Sequence, residues 1–145
     1  TILDQRKGRR IQTIELFKEA ISSCTPKDTP AKYLSQVFQA IRIEVNGELR
    51  ALEQLLIDSE SLIKESGRLV MISYHSLEDR LVKRFIRAGQ FEGEPEKDIF
   101  GHFEVPLKKV GGLQIPTKEE QRINTRSRSA KLRVAEKPKN TPNRK

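Results

Sequence analysis

His75, Ser76 and Asp79 are the residue types of a hydrolytic triad and fall within one short stretch, YHSLEDR. The chemistry would be acyl transfer, with an imidazole taking the proton of a hydroxyl that attacks a carbonyl. Side chains of adjacent residues diverge where a strand turns into a helix, so His75 and Ser76 are poorly placed to share that proton. A local role accounts for the same residues: Ser76 as helix N-cap with Asp79 three positions later makes a start like a capping box. Glu78 and Asp79 both suit the positive end of a helix dipole. Residues 73–76 are expected at the carboxyl end of a parallel strand, the edge where open α/β sheets bind ligands. Ser73, His75 and Ser76 are therefore candidate substrate contacts rather than catalytic groups. Metal chemistry is not supported, because His75, His102 and Cys24 match no zinc-ligand spacing. The glycines at 8, 47, 67, 89, 93, 101, 111 and 112 form neither G-x-G-x-x-G nor a P-loop, so no cofactor cradle is expected within this chain.

A second constellation is cationic. Of the 28 Lys and Arg, 10 lie in residues 118–145 beside only 3 of the 20 Asp and Glu, which gives that segment +7 of the chain's +8. Such a concentration suits an anionic partner, and a nucleic acid is the commonest. Arg126, Arg128, Lys131 and Arg133 are the candidates for gripping RNA. Lys131 and Arg133 alternate with Ala130, Leu132 and Val134 as the polar face of a half-buried strand, and a merely solvated strand face would look the same. Residues 138–145 read as a disordered basic tail, as does Lys137 before them. Arg42 and Asn46 fall on the polar side of a long helix near a bend. They could line a substrate cleft, or could satisfy helix ends and a neighbour such as Glu44 or Glu48.

The elements that must position these groups follow from periodicity. Apolar residues at three and four (Ile11, Ile14, Leu16, Phe17, Ile21) predict a helix over 10–21, broken at 22–27. Thr29–Pro30 reads as an N-cap with proline at the first helical position. The stripe from Leu34 to Leu56 predicts a long helix or two in series, interrupted near Asn46–Gly47. A short helical stretch at 60–64 precedes RLVMISY (68–74), whose nearly continuous apolar run reads as a buried parallel strand. A helix over 76–88 follows, with Leu77, Leu81, Val82 and Phe85 on its buried face and Gly89 at its end. Beyond a polar loop at 90–101, a strand is predicted at 103–110, a short helix after Pro116–Thr117, and a strand around 130–134. Helix, strand, helix in succession indicates an α/β sheet.

With 145 residues, 35% hydrophobic and 6% aromatic, the chain has the length of one domain and a thin aliphatic core. Its longest apolar runs are far too short to span a bilayer, so no membrane role is expected. A lone cysteine and a charged start without a secretory stretch suit a reducing, cytoplasmic setting.

Three blocks, FQAIRIEVNGEL (38–49), GRLVMISYHSLEDRLVKRF (67–85) and NTRSRSAKLRVAEK (124–137), resemble successive blocks of the MraW (RsmH) family. Its members methylate N4 of a cytosine in small-subunit (16S) ribosomal RNA, using S-adenosylmethionine. The resemblance implies an α/β fold: the C-terminal half of a Rossmann-like methyltransferase sheet, preceded by helices of a helical insertion domain. On that template residues 1–45 end the insertion, 46–137 form the half-sheet and 138–145 the tail. It also implies that the glycine-containing cofactor loop lies upstream, in an N-terminal half missing from this chain. S-adenosylmethionine would then serve the full-length enzyme and not bind the chain alone. The partners implied are small-subunit ribosomal RNA and that missing half, and an exposed sheet edge makes a second copy of the chain a further candidate. One departure is visible: Asn124-Thr125-Arg126 stands where the family commonly has Asn-Pro-Arg, which loosens the turn but spares the arginine. A non-catalytic RNA-binding module is the alternative reading.

Overall fold

A computed structural model describes residues 2–95 and 97–139. The chain divides into two compact units, Thr1–Gly47 and Glu48–Lys145. The first is helical: α1 (Ile2–Gly8), α2 (Ile14–Ala20) and α3 (Pro30–Asn46). The single helix expected over 10–21 starts later than its periodicity suggests. Thr13 takes the N-cap position and accepts a hydrogen bond from the Leu16 amide at 3.3 Å, and the preceding residues are irregular. Within this unit Ala20 and Ile21 are buried, and the Phe17 and Phe38 rings meet at 5.5 Å. Pro30 opens α3 as anticipated, although the Thr29 hydroxyl makes no capping bond. Gly47 closes α3 with φ 62°, a left-handed conformation that a residue without Cβ adopts at little cost.

The second unit contains α4 (Glu48–Leu62), β1 (Arg68–Ser73), α5 (Ser76–Ala88), β2 (Lys108–Gln114), α6 (Lys118–Ile123) and β3 (Lys131–Glu136). The separate helix expected at 60–64 is the last turn of α4. The three strands form one sheet in the order β1-β3-β2, and both pairings are antiparallel. This corrects the reading of 68–74 as a buried parallel strand: among the described residues β1 is an edge, paired only with β3. A continuous apolar run signals cover on both faces, but here one face alone is covered. Leu69 and Met71 pack with Ala135 against Leu56 of α4 and Val82, Phe85 and Ile86 of α5. Val70 and Ile72 alternate to the other face and are 55% and 53% exposed. Across from them in register lie Val134 and Leu132.

The third apolar segment also shifts. The strand predicted at 103–110 forms at Lys108–Gln114, and buried Leu107 enters the core just before it. The β2–β3 register slips between Val110 and Gln114, where Gly111 has φ 67°. A bulge placed at consecutive glycines absorbs the extra length, because residue 111 must adopt a positive φ.

Lys137, read as the start of a disordered tail, is instead tied down. Its amide and carbonyl bond Gly67 and Ser66 at 2.9 Å, and its ammonium donates to the Glu60 carbonyl at 2.6 Å. Residues 140–145 of the expected tail lie outside the described residues. Among the described residues no helix is long and apolar enough to cross a membrane.

Candidate functional site

The β1–α5 junction is built by local hydrogen bonds that differ from the expected ones. His75, not Ser76, is the N-cap of α5: its Nδ1 accepts from the Leu77 amide at 3.4 Å. The reciprocal partner is Glu78, not Asp79, and Glu78 Oε2 accepts from the Tyr74 and His75 amides at 3.2 Å each. The helix therefore begins one residue earlier in cap register than a Ser76 cap would set it. A histidine cap is harder to read from sequence than a serine, because histidine is not among the common capping residues. The imidazole nitrogen nearest the helix is committed to this cap, and among the described residues no hydrogen bond joins Ser76 to His75. The pair is thus not an activated nucleophile.

Asp79 is released from capping for a different task. Only 9% of its side chain is exposed, and its carboxylate is gripped by Arg133 through Nε at 2.7 Å and Nη2 at 3.1 Å, with the Lys131 ammonium at 3.2 Å. These hydrogen bonds from Arg133, with help from Lys131, hold the carboxyl below the usual carboxylate range against the opposing effect of burial. A fork-on-carboxylate contact is among the strong hydrogen-bonded pairs. It ties the first turn of α5 to the central strand, and so fixes residues 73–76 at the end of β1.

Beside that junction lies a cavity of about 270 Å³ whose lining includes Glu48, Leu52, Ser73, Tyr74 and Glu78. Ser73 is buried, His75 half-buried and Ser76 exposed. The structure thus brings Ser73, His75 and Ser76 together at one strand end, and places Ser73 on the cavity wall.

The cationic candidates separate into two pairs. Arg126 and Arg128 stand exposed on a 3-10 turn (Thr125–Ser129), while Ser127 between them is buried and donates its hydroxyl hydrogen to the Asn124 carbonyl at 2.8 Å. Asn124 Oδ1 caps the Arg126 amide at 3.2 Å. The turn is closed by these bonds with Thr125 in place, so it does not depend on a proline there. Lys131 and Arg133 do alternate with Leu132 and Val134, but their face is the one covered by α5. The expected polar, solvated side of β3 is the side that carries the buried ion pair, with Arg133 only 15% exposed. Asp79 lies three residues before Val82 and seven before Ile86, on the inward stripe of α5. A buried acid on an apolar stripe must be paired or hydrogen-bonded, so the stripe signals that Asp79 has a partner, and the structure supplies it as Arg133. Arg42 and Asn46 lie on α3 in the first unit, both exposed.

Residues 1–138 match the MraW methylase family. The chain is 55% identical over 137 residues to ribosomal RNA small subunit methyltransferase H of Christiangramia forsetii, covering 94% of this chain and 45% of that protein. Proteins of the same name from Amoebophilus asiaticus and Parabacteroides distasonis are 54% and 50% identical, over 93% and 94% of this chain and 44% and 45% of theirs. The chain thus spans a little under half the length of these curated relatives. A match running from the first residue through the capped junction, the Asp79–Arg133 pair and the Arg126–Arg128 turn leaves one conclusion: the chain belongs to the MraW methylase family.

Proposed function

We propose that this chain is the substrate-side portion of an S-adenosylmethionine-dependent methyltransferase acting on N4 of a cytosine in 16S ribosomal RNA. The observation that carries the reading is the family match over 1–138, with relatives named for small-subunit ribosomal RNA methylation. The geometry agrees with it. Methylating an exocyclic amine calls for a base brought out of its stack and no covalent enzyme nucleophile, and the His75 imidazole is committed to capping rather than to Ser76. The exposed Val70–Ile72 face and the free edge of β1 are what one half of a sheet covered on both faces presents. A Rossmann-like sheet completed by the rest of a longer protein accounts for both, and a ribosomal substrate would place that protein in the cytoplasm.

The residues present do not fit the methyl donor. Neither strand-to-helix junction, 74–75 or 115–117, contains a glycine, and at the first the Tyr74 and His75 amides are already taken by Glu78. No step through the donor is assigned to this chain, and by itself it would act as an RNA-binding module. The test is transfer of a labelled methyl group to small ribosomal subunits, followed by nucleoside mass spectrometry. Label in N4-methylcytidine is expected when the sequence is supplied within a protein of the relatives' length, and none with the 145 residues alone. Label on another nucleoside, or none from the longer protein, would overturn the reading.

Within this reading Arg126 and Arg128 hold RNA phosphates, while Lys131 and Arg133 act mainly by fixing the junction. Replacing Arg126 and Arg128 by Gln is expected to reduce the salt slope of single-stranded RNA binding by about 1.4, at roughly 0.7 per phosphate. The reduction is expected to be the same for a scrambled RNA, since phosphate contacts carry no base information. Fluorescence anisotropy across a salt series measures it, and an unchanged slope would remove the two arginines from the interface.

A further inference from the structure

Away from the junction, α5 and β2 enclose a larger cavity of about 380 Å³, lined by Lys83, Ile86, Arg87, Lys109, Gly112 and the β3 residues Arg133 and Val134. Lys83, Ile86 and Arg87 stand at i, i+3 and i+4, so they share one stripe of α5. Among the described residues Lys83, Arg87 and Lys109 are exposed and form no ion pair, and no acidic side chain lines the cavity. Arg133 gives two of its five N–H groups to Asp79, which leaves three donors. Lys83, Arg87 and Lys109 thus bring three cations to one concavity, a charge that a bound anion would balance, while Arg133 already has its counter-charge in Asp79.

We propose that this cavity is a second RNA-docking site, which seats consecutive backbone phosphates between α5 and β2. The assignment rests on the ribosomal RNA reading above for the identity of the anion, and on the charge of the cavity for its place. It differs from the Arg126–Arg128 turn in being concave and in sharing Arg133 with the ion pair that fixes the junction. RNA held there is therefore coupled, through one guanidinium, to the strand end where Ser73, His75 and Ser76 lie.

The test uses the full chain and a fluorescein-labelled single-stranded RNA, with anisotropy read from low to high salt. The triple variant Lys83→Gln, Arg87→Gln, Lys109→Gln is expected to lower the slope by about 2 and to weaken binding at 0.1 M salt roughly 100-fold, at about 0.7 per phosphate. A charge-matched control, Lys18→Gln, Lys27→Gln, Lys32→Gln on the first unit, is expected to change the slope by less than one phosphate's worth. Gly112 supplies an independent variant. A Cβ there meets nothing within 4 Å and its φ lies outside the left-handed region, so a side chain can be added without strain. Gly112→Glu is expected to weaken binding at least tenfold, while Gly112→Gln leaves it within about twofold. Equal losses from the triple variant and its control would overturn the site in favour of a diffuse polycation. Binding that responds to Arg126 and Arg128 but not to the cavity would overturn this inference and leave the ribosomal RNA reading standing. A wild-type chain that binds no RNA would overturn both.

Discussion

Replacing Asp79 by Asn is expected to destabilise the second unit by about 3 kcal/mol at pH 7, because it leaves the largely covered Arg133, 15% exposed, without its counter-charge. The geometry makes the pair a sensitive one. Two guanidinium bonds of 2.7 and 3.1 Å and the Lys131 contact of 3.2 Å converge on a single carboxylate that is 9% exposed. Arg133→Met is expected to cost somewhat less, since Asp79 keeps the Lys131 ammonium at 3.2 Å. The double variant Asp79→Leu, Arg133→Met is expected to recover most of the loss, because exchanging a buried ion pair for apolar side chains of similar volume is often close to neutral. The pH dependence has a definite sign. Hydrogen bonds from Arg133 hold the Asp79 carboxyl below its unfolded value of about 3.9, so the pair's stabilisation is fully present above that value. It is lost as pH falls through the lower, folded value. Urea titrations of wild type and Asp79→Asn are therefore expected to show their full separation at pH 7 and to converge below about pH 4. A separation that persists undiminished into that range would mean the carboxylate is not the stabilising group.

That ion pair also marks the boundary between what is legible in the sequence and what is not. Elements whose limits are set by neighbours along the chain were readable: Pro30 opening α3, Gly47 separating α3 from α4, Gly89 ending α5, and Thr117 capping α6, whose hydroxyl accepts from the Glu120 amide at 3.1 Å. Elements defined by partners far along the chain were not. The apolar run of β1 carries no mark that its neighbour β3 runs antiparallel, and β2 starts at Lys108, where its pairing with Glu136 of β3 begins, and not at the first apolar residue of the segment. The alternation of Lys131 and Arg133 with Leu132 and Val134 was visible, yet period two does not say which face is the covered one. Only the pairing with Asp79, 54 residues away from Arg133, decides that the charged side faces α5. At the junction, the grouping of Ser73, His75 and Ser76 was readable, whereas the choice between Ser76 with Asp79 and His75 with Glu78 as the capping pair depended on where Asp79 was needed.

The other large effect concerns the residue that keeps α5 on the sheet. Phe85 is 2% exposed, stacks on Phe91 at 5.4 Å with 18° between the rings, and shares a core cluster with Leu56, Val82 and Leu107. Phe85→Ala is expected to cost about 3 to 5 kcal/mol, through lost transfer energy and a cavity that neighbouring helices refill only in part. Phe91→Ala is expected to cost less, because Phe91 is only half-buried against the cluster and an aromatic pair adds about 0.5 to 1.5 kcal/mol beyond area. A domain of this size has of the order of 5 to 15 kcal/mol of stability in total, so the first substitution removes a large fraction of it. The functional consequence follows from the position of α5. Its N-terminus carries the His75–Glu78 cap and Asp79, and its next turns carry Lys83 and Arg87. A helix that detaches loses the strand-end junction and the cationic cavity together. Phe85→Ala is therefore expected to lower RNA affinity in parallel with stability as temperature rises, whereas Lys83→Gln with Arg87→Gln is expected to lower affinity at unchanged unfolding temperature. Circular dichroism melting beside anisotropy on the same samples separates the two. Full RNA affinity in Phe85→Ala above its unfolding temperature would show that the cations bind RNA without being positioned by the fold.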